Sequence, residues 1–305
     1  MSNSRRPADL PAFAIMFVLC AIWGIQQVAV KSIIADVSPV MQGGIRSIVA
    51  CLCVLVWARA RGIRLFARDG TGWPGVAAGA LFAAEFVFLY GGLSYTTASR
   101  MSVFVYIAPI LTVVGLSLLI TAERLRRVAW FGLLLAFAGL ALAFSERFLV
   151  SEALPADKRW IGDLMGVAAA VLWAATTMVI RASSLASAAA SKTLFYQLAA
   201  SALVLPIASV LMGEAGVVRI TPWAFAVLAF QGVVVAFASY LTWFWLLTRY
   251  LAARLSVFAF LTPLFGVLAG AWLLGEAVSH VFLIAATLVL AGIVLVNLPE
   301  KSAST

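Results

Sequence analysis

The sequence predicts an all-α polytopic membrane protein: ten transmembrane helices arranged as two inverted five-helix repeats. Three observations carry this. The 305-residue chain is 64% hydrophobic and only 11% charged, against about 25% charged residues in soluble domains. Ten stretches supply the roughly 20 apolar residues that a bilayer crossing needs. A phrase also recurs: RMSVFVYIAP at 100–109 returns as RLSVFAFLTP at 254–263, with five positions identical. A soluble chain of this length could not bury so much apolar surface in one core, so lipid is its natural solvent.

The first span is Leu10–Ser32. Arg5 and Arg6 precede it as in a secretory signal, but its apolar part is long for one and no small-x-small cleavage site follows. We therefore expect it to be retained, with Lys31 as an interfacial anchor. The second span, Pro39–Ala58, carries Arg46 about two turns in. The third, Trp73–Leu93, holds Glu85, the only acid deep in a span, and Gly75-x-x-x-Gly79. That small-residue pattern favours internal packing over dimerisation. The fourth, Ala98–Thr121, contains Pro109, and the fifth, Val128–Ser145, completes a first half.

Links are short except for the polar stretch Glu146–Asp163, which contains Pro155 and divides the chain into 1–150 and 151–305. The sixth span is Gly162–Arg181. The seventh, Thr193–Met212, contains Pro206, which has no counterpart in the first half. Pro222–Leu247 is the eighth. The ninth, Ala252–Leu274, carries Pro263 and Gly266-x-x-x-Gly270, and Val281–Leu298 is the tenth. Trp73, Trp130, Trp160 and Trp223 fall at span ends, where an aromatic belt is expected.

The repeat constrains the topology. Arg100, Ser102, Val103, Phe104 and Pro109 match Arg254, Ser256, Val257, Phe258 and Pro263 at an offset of 154 residues. Trp23 matches Trp173 and Lys31 matches Arg181 at an offset of 150. Such a slow drift indicates two related halves of five spans each. Five is odd, so the second half would insert upside down. Inverted repeats about an in-plane axis are a hallmark of secondary transporters, with substrate held near the midplane between them. Fourteen of the 21 Lys and Arg residues fall on the face that holds the N-terminus, and six on the other. The positive-inside rule then places both termini in the cytoplasm of a bacterial-type inner (plasma) membrane.

With ten spans as five plus five, further features line up in order. They are Trp23-Gly24 in the first span, Arg46 in the second, prolines in the fourth and ninth, and corners at Thr121-Ala122-Glu123 and Gly275-Glu276. In this the chain resembles the drug/metabolite transporter superfamily, EamA type, over nearly its whole length. The resemblance implies export of amino acids, other metabolites or drugs. It also implies a cavity lined by spans 1–4 and 6–9, with spans 5 and 10 packed outside. Within that family the YddG-like branch, which exports aromatic amino acids, is one candidate that the resemblance offers.

Charges inside the membrane are the first site candidates. A carboxylate at the bilayer centre costs at least about 2.5–3.5 kcal/mol, so Glu85 should face water or a partner. Two roles stand for it: coupling to protons or binding a substrate ammonium, and a structural hydrogen-bonded carboxylate. Arg46 has three: neutralising Glu85, binding a substrate carboxylate, or snorkelling to the interface. Gln26, Gln27, Tyr90, Tyr106, Thr177, Tyr196, Gln197, Ser239 and Tyr240 place hydrogen-bonding groups at membrane depth. They are candidate substrate contacts, or glue between helices worth about 0.6 kcal/mol each. Trp23, Trp173 and Trp243 are candidate apolar walls. Pro109 and Pro263 are matched candidate hinges, since each removes a backbone hydrogen bond.

Other chemistries lack their residues. Cys20, Cys51 and Cys53 lie in apolar runs, His280 is the single histidine, and neither CxxC nor HExxH occurs, so no metal or other cofactor is expected. No P-loop is present for direct ATP hydrolysis. One deep acid and one peripheral histidine do not make an intramembrane enzyme. The net charge of +9 is dispersed between apolar runs, which argues against nucleic acid as a partner. The expected partners are a small-molecule substrate and the lipid bilayer, with the chain a monomer or homodimer. The expected function is export of small amphipathic metabolites, amino acids foremost and aromatic ones among them, by alternating access. The alternative is a multidrug or cation exporter with Glu85 as counter-charge.

Overall fold

The computed structural model describes residues 5–149, 158–274 and 279–298. The middle of the expected linker, residues 150–157 with Pro155, and the Gly275-Glu276 corner lie outside them. Among the described residues ten helices are long and apolar enough to cross a membrane: α1 Leu10–Ser32, α2 Pro39–Ala60, α3 Gly72–Gly92, α4 Ala98–Leu119, α5 Arg127–Ser145, α6 Arg159–Ala182, α7 Ala190–Leu211, α8 Pro222–Arg249, α9 Ala252–Trp272 and α10 His280–Asn297. Each was expected within a few residues. Corners 61–71, 120–126, 183–189 and 250–251 share the face of residues 5–9, the N-terminal face. Corners 33–38, 93–97 and 212–221 lie on the opposite face.

Polar caps start several helices. Asp9 accepts the Ala12 N–H, Thr97 that of Arg100, Thr221 that of Ala224 and Ser279 that of Phe282. Each satisfies a donor with no partner in the first turn. Three helices are irregular inside. α4 stops at Val105 and resumes at Ala108. α9 passes through a 3-10 turn, Val257–Phe260, before resuming at Leu261. The prolines explain both: Pro109 cannot bond the Val105 carbonyl four residues back, nor Pro263 that of Ala259. α8 winds as a π-helix over Phe230–Ser239, a form that concentrates at functional sites.

Glycines set the closest helix contacts. A Cβ on Gly292 of α10 would stand 2.4 Å from the Gly132 carbonyl oxygen of α5, and one on Gly139 2.8 Å from that of Ala285. The α5 and α10 backbones therefore touch. Gly75 and Gly79 of α3 face Tyr196 of α7, Gly24 of α1 faces Phe265 and Gly266 of α9, and Gly44 of α2 receives the ring of Pro206. Pro206 thus has a packing role that the sequence left unassigned. Gly75-x-x-x-Gly79 thus serves a contact inside the molecule, since a bulkier side chain would separate these helices.

Candidate functional site

A central cavity of about 550 Å³ is lined by residues of α1–α4 and α6–α9. α5 and α10 contribute none of its walls. Its chemistry divides by side chain. Arg46 from α2 and Glu85 from α3 supply one charge of each sign; both are buried. The Arg46 guanidinium lies 4.6 Å from the centre of the Phe86 ring, a cation–π contact that stabilises a desolvated cation. Glu85, Tyr90 and Tyr240 lie near it. Neither charged side chain makes a hydrogen bond, and no ion pair joins the two, among the described residues. Each is left to meet a solute or solvent in the cavity.

Aromatic rings form the rest of the wall. Trp23 packs edge-on to Tyr240 and Trp243 at 6.1 Å, and Phe82 edge-on to Tyr240 at 6.1 Å. Across the cavity Tyr106 meets Trp173 at 5.8 Å. Gln26, Gln27, Thr177 and Gln197 also line the space. The Thr177 hydroxyl donates to its own helix at the Trp173 carbonyl, 3.3 Å, and keeps its oxygen free to accept. The Gln197 Nε2 is buried without a hydrogen-bond partner, a costly state that an inserted solute or water would relieve.

Two expected residues stand elsewhere. Tyr196 does not line the cavity, because its ring fills the gap left by Gly75 and Gly79. Ser239 does not either: it accepts the Trp23 indole N–H at 2.8 Å and donates to the Val235 carbonyl. It thereby fixes a wall residue in place of contacting the space. Of the two prolines, Pro109 lines the cavity and Pro263 does not. Reading the sequence missed Phe82, Phe86, Thr112 and Ser256. Phe82 and Phe86 could have been found from their spacing, since they flank Glu85 and Tyr90 on one helical face.

The cavity reaches the opposite face, where Lys31, Ile34, Pro39, Leu93 and Ala98 line it and Ile34 is half-exposed. The N-terminal face is shut by polar contacts, of which the Glu123–Arg181 pair is buried. Glu123 pairs with Arg181 and also accepts the N–H groups of Ala252 and Ala253 at 3.2 and 3.0 Å. One carboxylate thus joins the α4–α5 corner to the end of α6 and the start of α9. Tyr250 donates to Asp9 at 2.8 Å and accepts from Arg6.

Lys192 of α7 binds Asp69 at 2.7 Å. The Lys192 ammonium, then the Thr71 hydroxyl, lower the Asp69 carboxyl from its ordinary 3.8 to about 2. A depressed carboxyl stabilises the fold above its unfolded value and loses that contribution as pH falls through its folded one. Wild type should therefore lose apparent melting temperature between about pH 4 and pH 2 more steeply than Asp69→Asn. Parallel curves in detergent would show that the pair contributes nothing.

Comparison with known proteins agrees with this geometry. A curated relative from Bacillus subtilis, the uncharacterized transporter YvbV, is 26% identical over 97% of this chain and 93% of its own length. Another, the uncharacterized transporter sll0355 of Synechocystis, is 28% identical over 92% of this chain and 88% of its own. One solved crystal structure shares the fold with a TM-score of 0.80 at 22% identity, covering 94% of this chain and 98% of that one. The model of the EamA-like transporter family matches residues 10–145 and again 160–298. With ten apolar helices around a central cavity and a family match across both stretches, this integral membrane protein belongs to the EamA-like transporter family.

Proposed function

We propose that the protein is a secondary transporter that exports small zwitterionic metabolites, amino acids foremost and aromatic ones among them, by alternating access. One observation carries the proposal. Arg46 and Glu85 place opposite charges in a single cavity without pairing to each other, and aromatic rings line the space around them. A carboxylate on Arg46, an ammonium on Glu85 and a ring among Trp23, Phe82 and Tyr240 would satisfy all three features. The two-charge requirement would also tie affinity to the zwitterion, because a buried charge left unpaired is expensive.

Alternating access needs two halves of opposite orientation. Two contacts support that reading. Tyr250 donates to Asp9 on the N-terminal face, and Thr96 donates to Asp163 on the opposite face, both at 2.8 Å. Donor and acceptor positions are each shifted by 154 residues, the offset of the doubled phrase. The excess of basic residues on the N-terminal face supports a cytoplasmic location for it. The cavity would then be open to the outside and closed to the cytoplasm.

Efflux from proteoliposomes loaded with labelled phenylalanine tests the proposal. Saturable efflux, inhibited by other zwitterionic amino acids and not by phenethylamine, is the expected result. The cation-exporter reading draws on the Phe86 ring, which covers one side of Arg46 and leaves Glu85 as the more available charge. Transport of lipophilic cations with no movement of any amino acid would replace the first reading with this one.

A further inference from the structure

A second, small cavity of about 10 Å³ lies on the N-terminal face. Its walls come from the end of α6 (Ile180, Arg181), the start of α7 (Ala190, Thr193) and the end of α8 (Phe244, Leu247, Thr248), with Arg5 over it. Ile180, Phe244 and Leu247 also line the central cavity. These three buried side chains therefore stand between the two spaces as a wall one side chain thick. Arg5 spans the outer side: its Nε donates to the Leu247 carbonyl at 3.1 Å, and a terminal nitrogen donates to the Ala186 carbonyl. The guanidinium fork thus ties the end of α8 to the α6–α7 corner. The next residue extends the strap, because Arg6 N–H donates to the Arg249 carbonyl and Leu251 N–H to that of Arg6.

We propose that solute passes between the central cavity and the N-terminal face through this small cavity, with Ile180, Phe244 and Leu247 as the barrier and Arg5 as a stopper that holds it shut. The proposal rests on the transporter reading, since a chain that moves nothing needs no second route. The stopper suits a gate that must release. Among the described residues it holds two backbone carbonyls and no carboxylate, so opening it strands no buried anion. Arg181, of like charge, shares the cavity that Arg5 covers, which weakens the closed arrangement further. By contrast the Glu123–Arg181 contact beside it is a buried ion pair with four hydrogen bonds and is poorly suited to breaking in every cycle.

The test uses the full chain with Cys20, Cys51 and Cys53 replaced, carrying one reporter at a time. Thr193→Cys reports the small cavity and Thr177→Cys the central one. A membrane-impermeant maleimide is added from either face of oriented proteoliposomes, and the labelling rate is read by mass shift. Adding R5Q should speed labelling at Thr193→Cys from the N-terminal face about ten-fold, the consequence of losing charge-assisted hydrogen bonds. R5K, which keeps the charge without the fork, should fall between. Combining R5Q with Leu247→Ala should let the reagent reach Thr177→Cys from that face, where the parent protein is protected. Unchanged labelling at Thr193→Cys in both R5Q and R5K overturns the proposal. Labelling of Thr177→Cys from the opposite face shows in every variant that the bundle is folded. The readout needs no substrate, so a failure to move any amino acid would sink the functional reading and leave the route standing.

Discussion

Glu123→Ala is expected to be the most damaging single substitution in the chain, lowering stability by about 3–5 kcal/mol, the usual cost of stranding one partner of a buried ion pair. The Glu123 and Arg181 side chains are 0% and 3% exposed. Removing the carboxylate leaves the guanidinium buried without a counter-charge. It also leaves the Ala252 and Ala253 N–H groups, at the start of α9, without an acceptor. The double substitution Glu123→Leu with Arg181→Met removes both charges together. It should cost much less than Glu123→Ala alone, since apolar replacement of a whole buried pair is often close to neutral. What it cannot restore is the cap on α9, so a residual loss of about 1 kcal/mol is expected. Apparent melting temperatures in detergent for the two single and the double substitutions complete the cycle. If Glu123→Ala melts with wild type, the pair does not hold the N-terminal face together.

The helices were legible in the sequence because lipid leaves few choices. A backbone in hydrocarbon must satisfy its own hydrogen bonds, so long apolar runs become helices and only their ends are uncertain. α7 starts at Ala190 and not Thr193 for that reason. Arg46 and Glu85 were legible for a related reason: a charge at that depth has to face a cavity or a partner. The aromatic residues were harder. A ring is equally content against lipid, a neighbouring helix or a cavity, so Phe82 and Phe86 could not be told from the exposed Trp272 by residue type. Hydroxyls mislead in the opposite direction. Ser239 can bond to its own helix at the Val235 carbonyl and still accept from Trp23, so membrane depth alone does not make it a solute contact. The π winding of α8 left no mark in the periodicity. The Glu123–Arg181 pair escaped because each residue sits at a span end, where a charge is ordinary, and the partners lie 58 positions apart.

The two cavity charges should respond differently to removal, and the difference separates a binding role from a structural one. Glu85→Gln leaves Arg46 stacked on Phe86, with Tyr90 and Tyr240 still near it. The fold should tolerate this with a small change in melting temperature. Arg46→Gln takes away the opposite charge that acts on Glu85 and leaves a buried carboxylate with no hydrogen bond. It should be the more destabilising of the two. On efflux the prediction is sharper. Each substitution should raise the half-saturating concentration for phenylalanine by about 10–100-fold, corresponding to one lost hydrogen-bonded charge contact. Arg46→Gln should bring phenethylamine transport, absent in wild type, up to the residual phenylalanine rate, because a bound amine would no longer leave a buried guanidinium unpaired. Glu85→Gln should leave the amine untransported, as in wild type. If both substitutions slow phenylalanine equally, neither gains amine transport and melting temperatures fall in parallel, the charges act through the fold and not on the solute. The cavity would then select by its aromatic wall, and Trp23→Ala, which removes the ring that packs on Tyr240 and Trp243, would become the substitution that changes solute preference.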